Sequence, residues 1–262
     1  MCLFTSIVKL SGRIYLLHFC IVKATANLDN LFDKALQVSP YLKGEPYSSS
    51  IASDKLLFMG RDCSAQINHL YESLAETYPE AGKSYYLTRT WDLLCWQPLY
   101  LSFVAIYQLQ AVPKIQQIVQ CFQPNSIYGF YFPKSEMESD QIPDMIKKVS
   151  IELKGLFDNY REQMSQFIRI RPGFTNHLFA DALLKLIVRF QQTSKDLPSP
   201  DWLQHARLWL HHCGLPTLLA DKLICPPCGT QLSYVRTSCC QVYRCSDGSL
   251  CDDCPRVNTN RS

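Results

Sequence analysis

Residues 236–255 read Arg-Thr-Ser-Cys-Cys-Gln-Val-Tyr-Arg-Cys-Ser-Asp-Gly-Ser-Leu-Cys-Asp-Asp-Cys-Pro and contain the pattern Cys-Cys-x10-Cys-x2-Cys. The four thiols of this pattern are Cys239, Cys240, Cys251 and Cys254. Thiolates at this spacing suit either a [2Fe–2S] cluster, which takes two protein ligands on each iron, or a zinc ion, which takes four in a tetrahedron. The pattern therefore predicts a metal centre in the C-terminal part of the chain.

The segments around the cysteines favour a hairpin-like tail. Residues 232–244 have the composition of a strand, and residues 246–249, Ser-Asp-Gly-Ser, contain an Asp-Gly turn signal. Such a hairpin returns Cys251 and Cys254 toward the adjacent cysteine pair. In a regular strand two adjacent side chains point to opposite faces, so we expect the backbone to kink within that pair.

The pattern resembles that of the FhuF-like ferric siderophore reductases, a family of bacterial [2Fe–2S] proteins. The neighbouring residues resemble the family too, because an arginine and two hydroxyl residues precede the pair, a glutamine and a tyrosine follow it, and the motif closes with Cys-Asp-Asp-Cys. These flanking residues are Arg236, Thr237, Ser238, Gln241 and Tyr243. The resemblance implies that the four pattern cysteines ligate the cluster. The plant-type ferredoxin spacing Cys-x4-Cys-x2-Cys is absent from the sequence.

The resemblance also implies a function. An FhuF-like protein is expected to act as a ferric-chelate reductase, which reduces the iron of a ferric siderophore by one electron through its [2Fe–2S] cluster and releases Fe(II) in the cytoplasm. The sequence contains no Gly-x-Gly fingerprint for a dinucleotide and no P-loop. We therefore expect the electrons to come from an external donor protein, either a flavin- or NAD(P)H-dependent reductase or a ferredoxin. A peripheral association with the inner face of the membrane is compatible with this role.

Two alternatives stay open from the residues alone. Cys225-Pro-Pro-Cys228 is a second two-residue-spaced pair, and with Cys251 and Cys254 it would provide four sulfurs for tetrahedral zinc. The chain would then be a zinc-ribbon helical interaction module without redox activity. The other alternative keeps the [2Fe–2S] cluster but makes the protein an electron carrier for another oxidoreductase.

The composition favours a globular protein of a reducing compartment. Of 262 residues 47% are hydrophobic and 19% are charged, which is enough apolar material for a sizeable core. The net charge of +3 gives no strong basic field, so nucleic acid is not an expected partner. Seven of the 13 cysteines lie between Cys225 and Cys254, and an odd, clustered set of this kind argues against a secreted disulfide scaffold. We therefore expect a cytoplasmic protein.

Hydrophobic periodicity predicts a mainly α fold with a few short strands. We place one domain boundary, between a helical, siderophore-docking body over residues 1–222 and a cluster-binding tail over residues 223–262. Helices are expected from residue 28, from residue 63, over residues 83–111 as a pair bent at Pro98, and from Pro143, Thr175 and Ser199, with a strand over residues 126–132.

Residues 1–22 are the least defined part of this body. Their apolar run Ile14–Val22 is too short to span a bilayer. Ala24-Thr-Ala26 offers only a weak cleavage site for a signal peptide. The segment is therefore expected either to form a buried element or to lie outside the core fold.

Three groups of side chains outside the cysteines are candidates for substrate contact. The arginines that flank the ligands could offset the negative charge of a thiolate-bound cluster and attract an anionic chelate; they are Arg236, Arg244 and Arg256. Four aromatic residues could line a pocket, although their spacing on an apolar helix favours core packing; they are Tyr85, Tyr86, Trp91 and Trp96. His205 and His212 share a helix face and are expected to be ordinary surface histidines.

Overall fold

The computed structural model describes residues 26–47, 53–134, 136–193, 199–224 and 231–258, together with the backbone of residues 4–10 and 13–19. The N-terminal segments are two strands, β1 (Phe4–Leu10) and β2 (Arg13–Phe19), which pair antiparallel. The described parts of residues 1–22 are therefore two paired strands.

The prediction of a mainly α fold with short strands and a cysteine-rich C-terminal region is confirmed. The helices are α1 (Leu28–Val38), α2 (Ser64–Thr77), α3 (Lys83–Val104), α4 (Ile142–Met164), α5 (Pro172–Thr193), α6 (Ser199–His212) and the short α7 (Pro255–Asn258). Within the residues that the structure describes, none of these helices combines the length and the apolar character that a membrane crossing requires.

Several helix ends lie where the sequence signals them. The Asn27 side chain accepts a hydrogen bond from the Asn30 backbone and completes a capping box at the start of α1. Gly214, at a φ of 68° in the left-handed region, follows α6 as a terminating glycine. The start of α5 differs from the prediction, because the helix begins at Pro172 and Thr175 lies inside its first turn, where its hydroxyl donates to the Pro172 carbonyl.

A four-stranded sheet packs against the helices. Its strands are β3 (Gly44–Pro46), β4 (Leu56–Leu57), β5 (Val119–Gln123) and β6 (Ser126–Phe132), in the order β3-β6-β5-β4. The predicted strand is β6, which pairs antiparallel with β5 and parallel with β3. It is therefore a central strand.

The long helix α3 is the centre of the body and packs against α1, α2, α4 and α5. The prediction of two helices bent at Pro98 is wrong, since α3 continues through Pro98 and passes at Ala105 into a π-helical turn that ends at Leu109. A proline removes one backbone donor, the one that would bond to the carbonyl four residues earlier. Gln97, Leu99 and Leu101 around it are buried, so packing keeps the helix continuous despite this loss.

The tail differs in detail from the predicted hairpin. In the part of the tail that the structure describes, the backbone forms an isolated bridge between Ile224 and Ser233 and a 3₁₀ turn over Val242–Arg244 in place of a regular strand. The Asp-Gly turn is present, and the Gly248 N–H donates to the Cys245 carbonyl at 2.8 Å. The Cβ of any other residue at position 248 would lie 1.9 Å from the Val242 carbonyl oxygen, so this turn requires glycine.

A buried polar chain joins the sheet to two helices. The Tyr160 hydroxyl on α4 donates to the Gln120 side-chain oxygen on β5 at 2.5 Å. The Gln120 amide donates in turn to Gln97 on α3, whose own amide donates to the Gly129 carbonyl on β6. Each of these hydrogen bonds gives a buried polar group its partner, so the loss of one side chain leaves its neighbour without a hydrogen bond.

We expect the substitution Tyr160→Phe to lower the free energy of unfolding by roughly 1–3 kcal/mol, because it leaves the buried Gln120 oxygen without its hydroxyl donor. Denaturant titration of the variant and the parent protein measures this loss. Tyr128→Phe is the matched control, since Tyr128 is 46% exposed. An equal effect of both substitutions would contradict the buried chain.

Candidate metal centre

The structure places the sulfur atoms of the four predicted cysteines in two pairs. The Sγ atoms of Cys239 and Cys254 lie 4.0 Å apart, and those of Cys240 and Cys251 lie 3.5 Å apart. Tetrahedral metal–sulfur bonds of about 2.3 Å place two sulfurs of one metal about 3.8 Å apart. Each pair therefore has the spacing of two ligands on one metal, and two such pairs fit the donor set of a two-iron cluster.

The pairing differs from the one that the zinc alternative requires. That alternative places Cys251 and Cys254 on one metal, but each contacts a member of the adjacent pair instead. The pair Cys225–Cys228, on which the zinc alternative depends, lies outside the described residues. Among those described, no three metal-ligating side chains gather at one point.

The backbone reverses directly after the cysteine pair. Gln241 has a φ of 62°, in the left-handed region that non-glycine residues seldom adopt. Its N–H lies 3.4 Å from the Cys239 sulfur and donates to it. The reversal leads into the 3₁₀ turn over Val242–Arg244, from which the chain returns to Cys251. The predicted change of direction is therefore present, one residue later than expected.

Asp181 on α5 holds the segment that enters the site. Its side chain is 3% exposed, and four donors of the tail converge on it. One oxygen accepts from the Tyr234 hydroxyl at 2.5 Å and from the N–H and hydroxyl of Thr237 at 2.9 and 3.0 Å; the other accepts from the Ser238 N–H at 2.6 Å. Burial and the neighbouring carboxylate together raise the pKa of Tyr234 far above its usual value, so this hydroxyl stays a donor. The segment that carries the four cysteines, residues 236–254 (the cysteine loop), is thus anchored next to Cys239.

A second contact involves charged side chains beside Cys240. The Arg236 guanidinium donates to the Cys240 sulfur at 3.6 Å and forms an ion pair with Asp253, which lies 2.9 Å from Lys185 on α5. Burial alone would raise the pKa of Cys240, but the Val242 N–H and Arg236 outweigh it, and this pKa is lowered. Arg236 therefore favours the thiolate form that a metal requires.

Two further contacts fix the tail to the body. The Gln191 side chain on α5 accepts from the Leu232 N–H at 3.1 Å. Glu80, in the loop between α2 and α3, accepts from both the N–H and the hydroxyl of Ser246. Leu232 itself is buried in the same hydrophobic core as the helices. The loop that carries the cysteines is therefore held on both sides.

The three arginines predicted to meet substrate have different surroundings. Arg236 is largely enclosed and committed to Cys240 and Asp253. Arg244 is exposed, and Arg256 is exposed with its guanidinium 4.9 Å above the Tyr243 ring. Of the three, only Arg244 and Arg256 are therefore exposed to an approaching chelate.

The aromatic and histidine candidates also have different surroundings from one another. Trp91 and Trp96 line a cavity between α3 and α5, and Arg236 and Ser238 of the cysteine loop form part of its wall. Tyr86 donates to backbone carbonyls of the α2–α3 loop, in keeping with core packing. The expectation of a surface histidine is wrong for His205, which is 6% exposed and packs against Tyr107 and Trp202.

Asp181, Asp92 and Lys185 were not identified from the sequence. Asp181 lies within the apolar run Leu178–Leu184, and a lone carboxylate in such a run is the signal that could have identified it. Asp92 lines the cavity with a pKa that burial raises from 3.8 to about 6, against the opposing effect of Arg89, Arg236 and Lys185.

We expect Asp181→Asn to loosen the cysteine loop. An amide has an NH₂ group in place of one acceptor oxygen, so at least one of the four tail donors loses its partner. The loss of one such charge-assisted hydrogen bond should lower the free energy of unfolding by roughly 1.5–3 kcal/mol. Alkylation of Cys239 in the metal-free protein, followed by mass spectrometry, should become faster, and the iron content of purified protein should fall. Asp33→Asn, at an exposed position of α1, is the control. Unchanged alkylation would contradict the anchoring role.

We expect Asp92→Asn to stabilise the protein above pH 6. The folded-state pKa of Asp92 is raised, so the unfolded chain loses this proton first and stability falls as pH rises from about 4 to 6. An asparagine does not ionise, so the free energy of unfolding of the variant should exceed that of the parent protein by roughly 1–3 kcal/mol at pH 8 and by less at pH 5. Thermal unfolding at both pH values, with Asp33→Asn as the reference, measures the difference. A loss of stability at pH 8 would exclude this explanation.

Comparison with known proteins agrees with this geometry. Residues 236–256 match the family model described as the FhuF 2Fe-2S C-terminal domain, and the matched segment includes all four paired cysteines. No solved structure matches the chain. The resemblance drawn from the cysteine pattern is therefore confirmed for this segment, and the chain carries an FhuF-type [2Fe–2S] domain at its C-terminal end.

Proposed function

We propose that the protein is a ferric siderophore reductase and that Cys239, Cys240, Cys251 and Cys254 hold its [2Fe–2S] cluster. The observation that carries this proposal is the arrangement of the four thiols as two sulfur pairs inside an FhuF-type domain. Cys239 and Cys254 would ligate one iron, and Cys240 and Cys251 the other.

The chemistry follows from electron counting. A bound [2Fe–2S] cluster exchanges one electron, and reduction of Fe(III) to Fe(II) requires one. Siderophores bind iron through hard oxygen donors, which hold Fe(III) far more tightly than the less charged Fe(II). Reduction therefore weakens the chelate without breaking a covalent bond of the ligand.

The residues of the chain would divide the remaining tasks. Asp181 positions the loop, and Arg236 offsets the negative charge that four thiolates bring together. Cys254 is buried and its partner Cys239 is partly exposed, whereas both members of the pair Cys240 and Cys251 are partly exposed. The Cys240–Cys251 side is therefore the natural edge for electrons to enter or leave.

The partners and the domain organisation belong to the same proposal. The ferric siderophore would be the substrate, and a flavin- or NAD(P)H-dependent reductase or a ferredoxin would supply the electrons, because the sequence has no dinucleotide fingerprint. The body over residues 1–222 would dock the chelate and the tail over residues 223–262 would carry the cluster. We place this reaction in the cytoplasm, where released Fe(II) is used.

The test is an absorption spectrum of protein purified without oxygen, with iron, zinc and acid-labile sulfide counted on the same sample. We expect red-brown protein with two irons and two sulfides per chain. Dithionite should bleach it, and a ferric siderophore should restore the colour while Fe(II) appears.

Cys240→Ser should lower the iron and sulfide content severalfold, because it removes one member of a sulfur pair. Cys245→Ser is the matched control within the same loop and should leave both counts unchanged. Colourless protein with about one zinc and no sulfide would contradict the proposal and favour the zinc module. A coloured protein that no ferric siderophore reoxidises would instead indicate an electron carrier.

A further inference from the structure

A cavity between α3 and α5 adjoins the cysteine loop. Its volume is about 430 Å³, within the range of roughly 300–1,000 Å³ that is typical of small-molecule sites. Arg236 and Ser238 form the wall nearest the cluster site, and Arg236 contacts the Cys240 sulfur from that wall. A ligand in this cavity would therefore be separated from Cys240 by one side chain.

Two charged side chains face the cavity without a bonded partner. Arg89 and Asp92, both on α3 and both partly accessible, form no hydrogen bond or ion pair with another residue in the part of the chain that the structure describes. The neighbouring cations favour the charged form of Asp92, but its hydrogen-bonding positions and those of Arg89 are left for a ligand or water to fill. The pair thus offers a cation for an anionic atom of a ligand and a carboxylate for a hydrogen-bond donor.

The rim adds two exposed cations on α5. Lys185 contacts Asp253 at 2.9 Å, and Arg189 donates to the Tyr100 hydroxyl at 2.8 Å with its guanidinium 5.2 Å from the centre of that ring. Because both side chains are exposed at the mouth, they can attract an anion from solution.

Aromatic faces line the same space. Trp96 and Tyr100 are half-buried, contact each other edge to face with ring centres 6.1 Å apart, and form part of the lining. The Trp96 indole N–H is already bonded to the Ile127 carbonyl at 3.0 Å, so the ring is held in place. A fixed aromatic wall favours a flat, unsaturated group over a flexible aliphatic one.

We propose that this cavity binds one aromatic, anionic arm of the ferric chelate, so that the preferred substrate is a catecholate siderophore. This inference rests on the proposed function. The phenolate oxygens of the arm would meet Arg89 and the rim cations, its ring would lie against Trp96 and Tyr100, and its amide N–H would donate to Asp92. A trishydroxamate chelate has neither the aromatic ring nor the net negative charge that these side chains match.

Binding can be measured separately from reduction with gallium(III) complexes, since gallium(III) has the charge of ferric iron but accepts no electron from the protein. The cluster-loaded protein is titrated with a gallium tricatecholate and with a gallium trishydroxamate, by calorimetry or tryptophan fluorescence. We expect the tricatecholate to bind at least tenfold more tightly, a difference of about 1.4 kcal/mol.

Variants locate the site. Arg89→Gln and the rim variant Arg189→Gln should each weaken tricatecholate binding about tenfold. Ala182→Trp, which fills the cavity from α5 without removing a charge, should abolish it. Arg207→Gln, an exposed cation on α6 that pairs with Asp221, should bind as the parent protein does. Iron and sulfide counts and the absorption spectrum identify any variant that fails to assemble.

The outcomes separate this inference from the function on which it rests. Equal affinity for the two gallium complexes, or parental affinity in Arg189→Gln and Ala182→Trp with an intact spectrum, would overturn the catecholate cavity. The proposed function would still stand if the parent protein reduced a ferric chelate. If it reduced none, the function would fail, whatever the gallium complexes bound.

Discussion

The carboxylate of Asp181 is the interaction on which the site depends. It is buried on the rigid helix α5, and a buried charge is tolerated only when its acceptor positions are filled. Four donors from the tail fill them, and three of these donors belong to the two residues directly before Cys239. A segment without regular secondary structure thus acquires a fixed position from a single side chain of the body.

The charges next to this anchor show how the site holds several thiolates together. Thiolates repel one another, and each of the two pairs brings two sulfurs within 4.0 Å or less. Arg236 lies against Cys240, while Asp253 and Lys185 keep the guanidinium from being an isolated buried cation. Burial disfavours the charge of Arg236, but Cys240 and Asp253 outweigh this effect and raise its pKa, so the positive charge is permanent. The same side chain forms part of the cavity wall, so the loop and the cavity share one cation.

The cysteine pattern and the helical body could be predicted because both depend on short sequence spacings. The four thiols lie within one segment, and the helices follow from periodicity and caps. The path of the loop could not be predicted, because its reversal uses a non-glycine residue, Gln241, in the left-handed region. Asp181 was not recognised because its partners lie more than fifty residues away. His205 was misplaced because its burial depends on packing against Tyr107, about a hundred residues away.

Helix periodicity explains how the anchor and the cavity form together. On α5 the charged residues Asp181, Lys185 and Arg189 are four residues apart, so they lie in one row that leads from the cysteine loop to the cavity mouth. On α3 Arg89, Asp92, Trp96 and Tyr100 follow spacings of three and four and face that row across the cavity. Two packed helices hold both rows, so the distance between the cavity and the Asp181 anchor of the cysteine loop is set by helix packing. For the reductase that we propose, such a fixed separation between chelate and cluster matters, because the rate of electron transfer depends steeply on distance.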